Sequence, residues 1–207
     1  MPENSPDNTA LNGLILAGGR ATRMGGIDKG LIPFAGNCLI EHAIARLRPQ
    51  VARIFISANR NIEHYVRYGL PVLEDRFGHF AGPLAGLLRA LEQADGMPVL
   101  VVPCDAPLFP TQLAARLREA YIEGATSAVI PHDGSRLQTL FGLYSPTVLS
   151  SLTDYLESGQ RKVETWVNTL QPVIVDFSNE SEVFMNINTE TDLQTAQSLL
   201  ETRRINL

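Results

Sequence analysis

Short apolar runs alternate with helix-spaced segments along nearly the whole chain, and that alternation constrains the fold more than any other feature. Leu14-Ile15-Leu16, Ile54-Phe55-Ile56, Val72-Leu73 and Val99–Val102 are brief and uninterrupted. Runs of this kind suit strands buried on both faces of a parallel sheet. Between them, Leu39–Leu47 places Ile40, Ala43, Ile44 and Leu47 at helical spacing, with Pro49 as its stop. Ile62–Tyr68 reads as a short helix. Pro83–Ala94 reads as a longer one, with proline in its first turn and Leu84, Leu87, Leu88 and Leu91 on one face. The second half continues with a helix over Thr111–Glu123 and strands at Ala128–Ile130 and Thr139–Tyr144. Helices over Pro146–Glu157 and Val163–Leu170, strands at Val173–Val175 and Val183–Ile187, and a final helix over Thr189–Arg203 complete the pattern. Strands alternating with helices predict an α/β chain with a mostly parallel sheet between helical layers.

The chain has 207 residues, 44% of them hydrophobic, enough for one well-buried core. The polar stretch 1–12 is expected to be a disordered tail and 13–207 a single domain. A net charge of −5 lacks the basic footprint of a nucleic-acid binder, so an anionic ligand must be held by local cations. No apolar run approaches the ~20 residues that span a bilayer, and the polar N-terminal stretch has no signal-peptide pattern. A cytoplasmic location without membrane contact is expected. Cys38 and Cys104 are far apart and read as free thiols. His42, His64, His79 and His132 are scattered, without zinc-site spacing.

Open sheets of this type bind ligands at the carboxyl ends of their strands. The segments there are AGGRATRMGG after the first strand, SANRN (57–61) after the second, EDRFGHFAGPLAG (74–86) after the third and PCDAP (103–107) after the fourth. All are rich in glycine, Asp, Asn or Arg, and the topology rules place them on one rim. In the first of them, Gly18 and Gly19 allow backbone N–H groups to approach a ligand and form an anion nest. Arg20, Arg23 and Lys29 add fixed charge, with a second glycine pair at Gly25 and Gly26. Arginine matches phosphate oxygens as a fork and lysine as a point charge. The loop is therefore expected to hold several phosphates, as on a nucleoside triphosphate. It is not a Walker A loop, because Lys29 is followed by Gly30 rather than Ser or Thr, and it does not match the dinucleotide fingerprint.

Asp105 directly follows the Val99–Val102 strand, too far from the next helix to cap it. A carboxylate there suits Mg²⁺, which takes hard oxygen ligands together with phosphate oxygens and water. Cys104 reads as a packed small residue rather than a nucleophile. Asp75 reads as a nucleotide contact or a turn residue. The inventory of cations, glycines and one metal carboxylate contains no Ser-His-Asp or Cys-His set, which favours charge neutralisation and alignment as the chemistry.

LAGGRATRMGGIDKG, SANRN, ED followed by GPLAG, PCDAP and FMNINTETDL together resemble the molybdenum cofactor guanylyltransferase family, over about Leu14 to Leu200. The resemblance implies a Rossmann-like three-layer α/β/α sandwich of the nucleotide-diphospho-sugar transferase type. It implies a GTP half over about 13–108 and a cofactor-binding half over about 109–207. GTP and Mg²⁺ would be ligands and molybdenum-bound molybdopterin the acceptor, with molybdopterin-handling and molybdoenzyme chaperone proteins as further partners. The sister cytidylyltransferase shows Ala-Ala-Gly where this chain has Ala17-Gly18-Gly19, which favours guanine. A cytidylyltransferase or sugar-phosphate nucleotidyltransferase of the same fold is the alternative, and a non-catalytic nucleotide-binding module a third reading.

Carried over position by position, Leu16, Ala17, Gly18 and Gly19 lie against the nucleotide and Lys29 reaches its phosphates. From charge alone, Arg20 or Arg23 is expected to share the neutralisation, with Arg23 the candidate catalytic residue. Asp75 and Gly82 join the guanosine side, and Asp105 holds the metal. Ser57 stands where some members carry Asn, so the contact at that turn falls to Ser57 or to Asn59. Asn186 and Asn188 match the family's N-x-N on the pterin side, with Gly159, Arg161 and Lys162 as further candidates there.

Overall fold

The structure is a computed structural model that describes residues 10–17, 28–77 and 82–205, with side chains to 202. Its strands are β1 (Asn12–Leu16), β2 (Pro33–Phe34), β3 (Asn37–Cys38), β4 (Arg53–Ser57), β5 (Val72–Leu73), β6 (Val99–Pro103), β7 (Ala128–His132), β8 (Leu143–Tyr144) and β9 (Val173–Asp176). Its helices are α1 (Leu39–Leu47), α2 (Ile62–Tyr65), α3 (Pro83–Glu92), α4 (Leu113–Gly124), α5 (Leu149–Glu157), α6 (Val163–Thr169) and α7 (Glu190–Ile205). Among the described residues the central sheet runs β5-β4-β1-β6-β8-β7-β9, with only β8 antiparallel to its neighbours. The mostly parallel α/β architecture expected from the alternation is therefore present.

Period-two alternation divides each buried strand between two cores. Ile15, Leu100, Val102 and Val129 face a cluster that includes Ala43 and Leu47 of α1 and Leu113 and Leu117 of α4. Leu14, Val99, Val101 and Ile130 face the opposite cluster, with Leu84, Leu87, Leu88 and Leu91 of α3, Leu152 of α5 and Trp166 of α6. Helices thus cover both faces, which makes three layers. A smaller cluster of Ile32, Phe34, Leu39, Leu108, Ile187 and Ala196 docks α7 against the β2–β3 hairpin.

Several boundaries differ from the sequence reading. α1 spans Leu39–Leu47 as read, but Pro49 does not stop the chain's turning: a 3-10 turn over Arg48–Gln50 accommodates it near its start. Residues 1–9 lie outside the described residues. Leu11 and Asn12, expected in the tail, are buried instead. The Asn12 side-chain NH₂ donates to the Ala94 carbonyl at 2.9 Å, while its buried Oδ1 has no partner among the described residues. The strand expected over Thr139–Tyr144 is a 3-10 turn (Thr139–Phe141) followed by the short β8. The strand expected over Val183–Ile187 is absent among the described residues. Ser178–Phe184 forms helical turns, and Ile187 pairs with a loop rather than the sheet. The apolar residues that suggested it are buried elsewhere, Phe184 edge-on to Phe141 and Phe177, and Ile187 beneath α7.

Candidate active site

β4 and β5 add to one side of β1, whereas β6 adds to the other. The order reverses between β1 and β6, and such a switch point opens a crevice at the strands' carboxyl ends. There the Cys104 N–H donates to the Leu16 carbonyl at 3.1 Å and the Ala17 N–H to the Ser57 carbonyl at 2.9 Å. The ends of β1, β4 and β6 are thereby laced together. Cys104 itself is buried. Burial first, and the nearby Asp105 and Asp28 carboxylates second, push its thiol well above the usual range, so it packs as a neutral group.

Lys29 stands over this crevice. Its ammonium donates to Asp105 Oδ2 at 2.8 Å and to Asn188 Oδ1 at 2.5 Å. One residue each from the first loop, the end of β6 and the entry to α7 are thus joined across long sequence separations. Two arrangements hold this junction. On the α7 side, the Ile187 N–H donates to the Asp105 carbonyl at 2.7 Å. The Asn188 and Thr189 N–H groups both donate to Asp192 Oδ2 at 2.9 Å, and the Asp192 N–H returns a bond to Thr189 Oγ1 at 3.1 Å. This is a capping box at the start of α7. The backbone bond from Asn188 leads the interactions that hold the Asp192 carboxyl below its ordinary range.

On the Lys29 side the anchor is Asp28. Its carboxylate accepts from the Tyr65 hydroxyl at 2.6 Å, the Asn61 amide at 3.0 Å and the Gly30 N–H at 3.2 Å, and the Arg60 Nε lies 3.5 Å away. The Asp28 side chain is 2% exposed, so these partners offset a large desolvation cost. Burial above all pushes the Tyr65 hydroxyl far above its usual range, so it remains a proton donor to Asp28. Gly30 cannot carry a side chain here, because a Cβ would lie 2.5 Å from the Tyr65 hydroxyl oxygen.

To one side of Lys29, the ends of β4 and β5 bring Asn59 and Asp75 together. The Asn59 amide donates to Asp75 Oδ2 and the Asp75 N–H donates to Asn59 Oδ1, both at 2.8 Å. Ser57 is buried beneath α3, so close that a Cβ on Gly86 would lie 2.4 Å from its hydroxyl. Of the two residues offered for this turn, only Asn59 reaches the rim partner Asp75. Gly82 precedes α3 with φ 87° and ψ −180°, backbone that only glycine adopts readily, and Pro83 follows at the first helical position.

On the other side of Lys29 lies a cleft of about 550 Å³, whose lining includes Pro103, His132, Gln138, Phe141, Glu164 and Asn186. Arg161 does not line it. Its guanidinium donates to the Leu156 and Gln160 carbonyls and lies 5.9 Å over the Phe77 ring. Gly159 occupies the turn after α5 with φ 84°, and the Lys162 carbonyl accepts from the Tyr155 hydroxyl at 3.0 Å. The phosphate-loop positions Gly18, Gly19, Arg20, Arg23, Gly25 and Gly26 lie outside the described residues.

Sequence reasoning missed the Asp28 hub with Tyr65, Arg60 and Asn61, as well as Gln138 and its buried neighbour Asp133. A signal for Asp28 was present, since an Asp directly before a short helical turn is a cap pattern. No local pattern marks Tyr65, whose partner Asp28 is brought by the fold, and Gln138 bonds to Asp133 within one turn whose Asp-Gly start reads only as a turn signal.

A lysine and a carboxylate meet at the switch point of a mostly parallel sheet, where open α/β folds bind their ligands. The model for the MobA-like NTP transferase domain matches residues 13–173. A molybdenum cofactor guanylyltransferase of Pasteurella multocida is 45% identical over 182 residues, covering 88% of this chain and 96% of that protein. One from Shewanella loihica is 41% identical over 184 residues, covering 89% and 94%. Among solved structures, molybdopterin-guanine dinucleotide biosynthesis protein A of Archaeoglobus fulgidus has the same fold, with TM-score 0.78 at 22% identity over 92% of this chain and 99% of that one. The 2-C-methyl-D-erythritol 4-phosphate cytidylyltransferase of Thermus thermophilus shares it more distantly, with TM-score 0.67 at 18% identity over 91% and 98%. The chain belongs to the molybdenum cofactor guanylyltransferase family, within the MobA-like NTP transferases.

Proposed function

We propose that the protein transfers GMP from GTP to molybdenum-bound molybdopterin in the cytoplasm, forming the guanine dinucleotide cofactor and pyrophosphate. The observation that carries the reading is the Lys29–Asp105–Asn188 junction at the switch point, with an Asn59–Asp75 pair on one side and a cleft on the other. An ammonium has three donors. Among the described residues Asp105 and Asn188 take two, which leaves one for a phosphate oxygen.

In the reaction, an oxygen of the acceptor's terminal phosphate attacks the α-phosphorus of GTP in line. The bond from that phosphorus to the β-phosphate bridging oxygen breaks, and pyrophosphate carries away the electron pair. The nucleophile is an anion near neutral pH, so no general base is needed. Lys29 and Arg23 spread the charge that builds on the pyrophosphate, while the junction holds the two phosphates in line. Asn59, Asp75, Leu16, Ala17, Gly18, Gly19 and Gly82 form the guanosine side. Asn186 and Asn188 form the acceptor side.

Magnesium dependence is part of the proposal. Among the described residues no group of three or more His, Cys, Asp and Glu side chains could hold a metal by itself. A lone carboxylate fits Mg²⁺, which binds one or two carboxylates and completes its sphere with phosphate oxygens and water. Asp105 would hold it, and the ion would neutralise phosphate charge.

Pyrophosphate release measured with the acceptor, Mg²⁺ and each of GTP, CTP and ATP tests the reading. Release with GTP alone is expected. Release with CTP would make the protein a cytidylyltransferase, and GTP binding without release would make it a binding module.

A further inference from the structure

The cleft beside Lys29 has a built wall. Asp133, at the end of β7, is buried, and its carboxylate accepts from the Ser135 N–H at 2.8 Å, the Ser135 hydroxyl at 2.7 Å and the Arg136 N–H at 2.8 Å. The Gln138 amide also donates to it. Burial alone would push this carboxyl up. The bonds from Arg136, Ser135 and Gln138 outweigh burial and hold it well below the usual carboxylate range. A carboxylate fixed in its ionised form only accepts, so the Gln138 side chain must turn its NH₂ toward Asp133. Its carbonyl oxygen is then the atom not facing Asp133, and no donor among the described residues is bonded to it. Gln138 is 7% exposed and lines the cleft, so its small open surface belongs to a buried side chain.

Other lining groups complete a polarity pattern. Glu164 contributes a second acceptor, and the exposed Arg136 adds a cationic donor to the lining. The Gly134 N–H donates to His132 Nδ1 at 3.1 Å, which leaves the proton of a neutral His132 ring on Nε2. Pro103 and Phe141 supply apolar surface. The cleft is also joined directly to the reaction centre. Asn186 lines it, the next residue bonds to Asp105, and Asn188 bonds to Lys29.

We propose that this cleft receives the flat ring of the acceptor, and that Gln138 and Glu164 accept hydrogen bonds from the donor edge of a 2-amino-4-oxo heterocycle. Gln138 is thereby a specificity-determining residue, and Asp133 a positioning residue that acts through it. The inference rests on the guanylyl-transfer reading and names the ring-reading residues for its acceptor. A pterin and a guanine share this edge. The Asn59–Asp75 pair lies at the β4–β5 end of the rim, beyond β1, whereas this cleft lies at β6–β8. The cleft is therefore assigned to the pterin and not to GTP.

The test uses the full chain, with 6-hydroxymethylpterin as a fluorescent probe and steady-state kinetics with the complete acceptor. Wild type is expected to bind the probe with or without saturating GTP, and guanosine should not displace it. Gln138→Leu should weaken probe binding and raise the acceptor KM about tenfold, the loss of one buried hydrogen bond, with kcat and the GTP KM unchanged. Glu164→Gln, at an exposed position that should not disturb folding, should raise the acceptor KM about threefold. Asp133→Ala should lower kcat no more than Gln138→Leu does, and should add nothing to the acceptor KM when combined with it. Displacement of the probe by guanosine, or a raised GTP KM in Gln138→Leu, would assign the cleft to guanine and overturn the inference. Unchanged acceptor KM in both Gln138→Leu and Glu164→Gln would overturn it as well. Wild-type pyrophosphate release with GTP would be normal in those cases, and only its absence would contradict the broader reading.

Discussion

The two sides of the Lys29 junction are built differently. On the β1–β4–β5 side, strand ends meet short polar segments, and each rim residue follows its strand within a few positions: Ala17 after β1, Asn59 after β4 and Asp75 after β5. On the β7–β8 side the wall is a turn that folds back before an antiparallel strand, and Gln138, which lines the cleft, is held there by the buried Asp133 carboxylate. Parallel strands deliver site residues by position in the sequence. The turn before the antiparallel strand fixes its residues by hydrogen bonds within 133–138. The first kind of site announces itself by its place after a strand, whereas the second shows in the sequence only as a turn pattern, Asp133-Gly134-Ser135.

Substitutions can break this comparison at several strengths. The largest effect belongs to the junction that both sides share. Asp105→Ala should lower kcat by about 10³-fold while changing the urea midpoint little, because it removes charge organisation at a partly exposed position. Near-normal turnover in the presence of Mg²⁺ would remove Asp105 from the mechanism. Asp28→Ala should behave in the opposite sense. It strands the Tyr65 hydroxyl, the Asn61 amide and the Arg60 guanidinium, and should cost about 3 kcal/mol in equilibrium unfolding, with turnover falling as Lys29 loses its anchor. An Asp28→Ala protein as stable as wild type would show that the hub does not support the loop.

Smaller effects separate the two sides. Asn59→Ala should raise the GTP KM about tenfold and leave the acceptor KM alone, the mirror image of Gln138→Leu. If both variants moved the same KM, the division of the rim would be wrong. The smallest effect is acid sensitivity. The folded Asp133 carboxyl titrates below its unfolded value of about 3.9, so its stabilisation is present above about pH 4 and is lost as pH falls toward the lower folded value. Asp133→Asn should flatten that acid limb in thermal melts recorded from neutral pH downward. An acid limb identical to wild type would mean that the hydrogen bonds to Asp133 do not favour its charged form.

The legible parts of the sequence follow the same division. Leu39–Leu47 reads correctly as a helix because its apolar spacing repeats a single face, and that face is buried. Val99–Val102 reads correctly as a central strand because it is apolar on both faces. Val183–Ile187 misleads for a physical reason. Phe184 and Ile187 are buried in separate clusters by turns and loops, so apolar alternation there reports packing and not sheet pairing. The β2–β3 hairpin offers only two residues per strand, too few for any periodic signal. Lys29 and Asp105 could be singled out individually, but their contact across 76 positions could not. Tyr65 looked like an ordinary apolar position of a short helix, and only the fold shows its hydroxyl on Asp28.

The most direct test of the central claim follows where each phosphate goes. GTP labelled at the α-phosphorus or at the γ-phosphorus would be mixed with the protein, Mg²⁺ and molybdenum-bound molybdopterin, and the products separated. The account predicts the α-label in a guanine dinucleotide of the acceptor and the γ-label in pyrophosphate. A γ-label on the acceptor, or no transfer of either label, would contradict it.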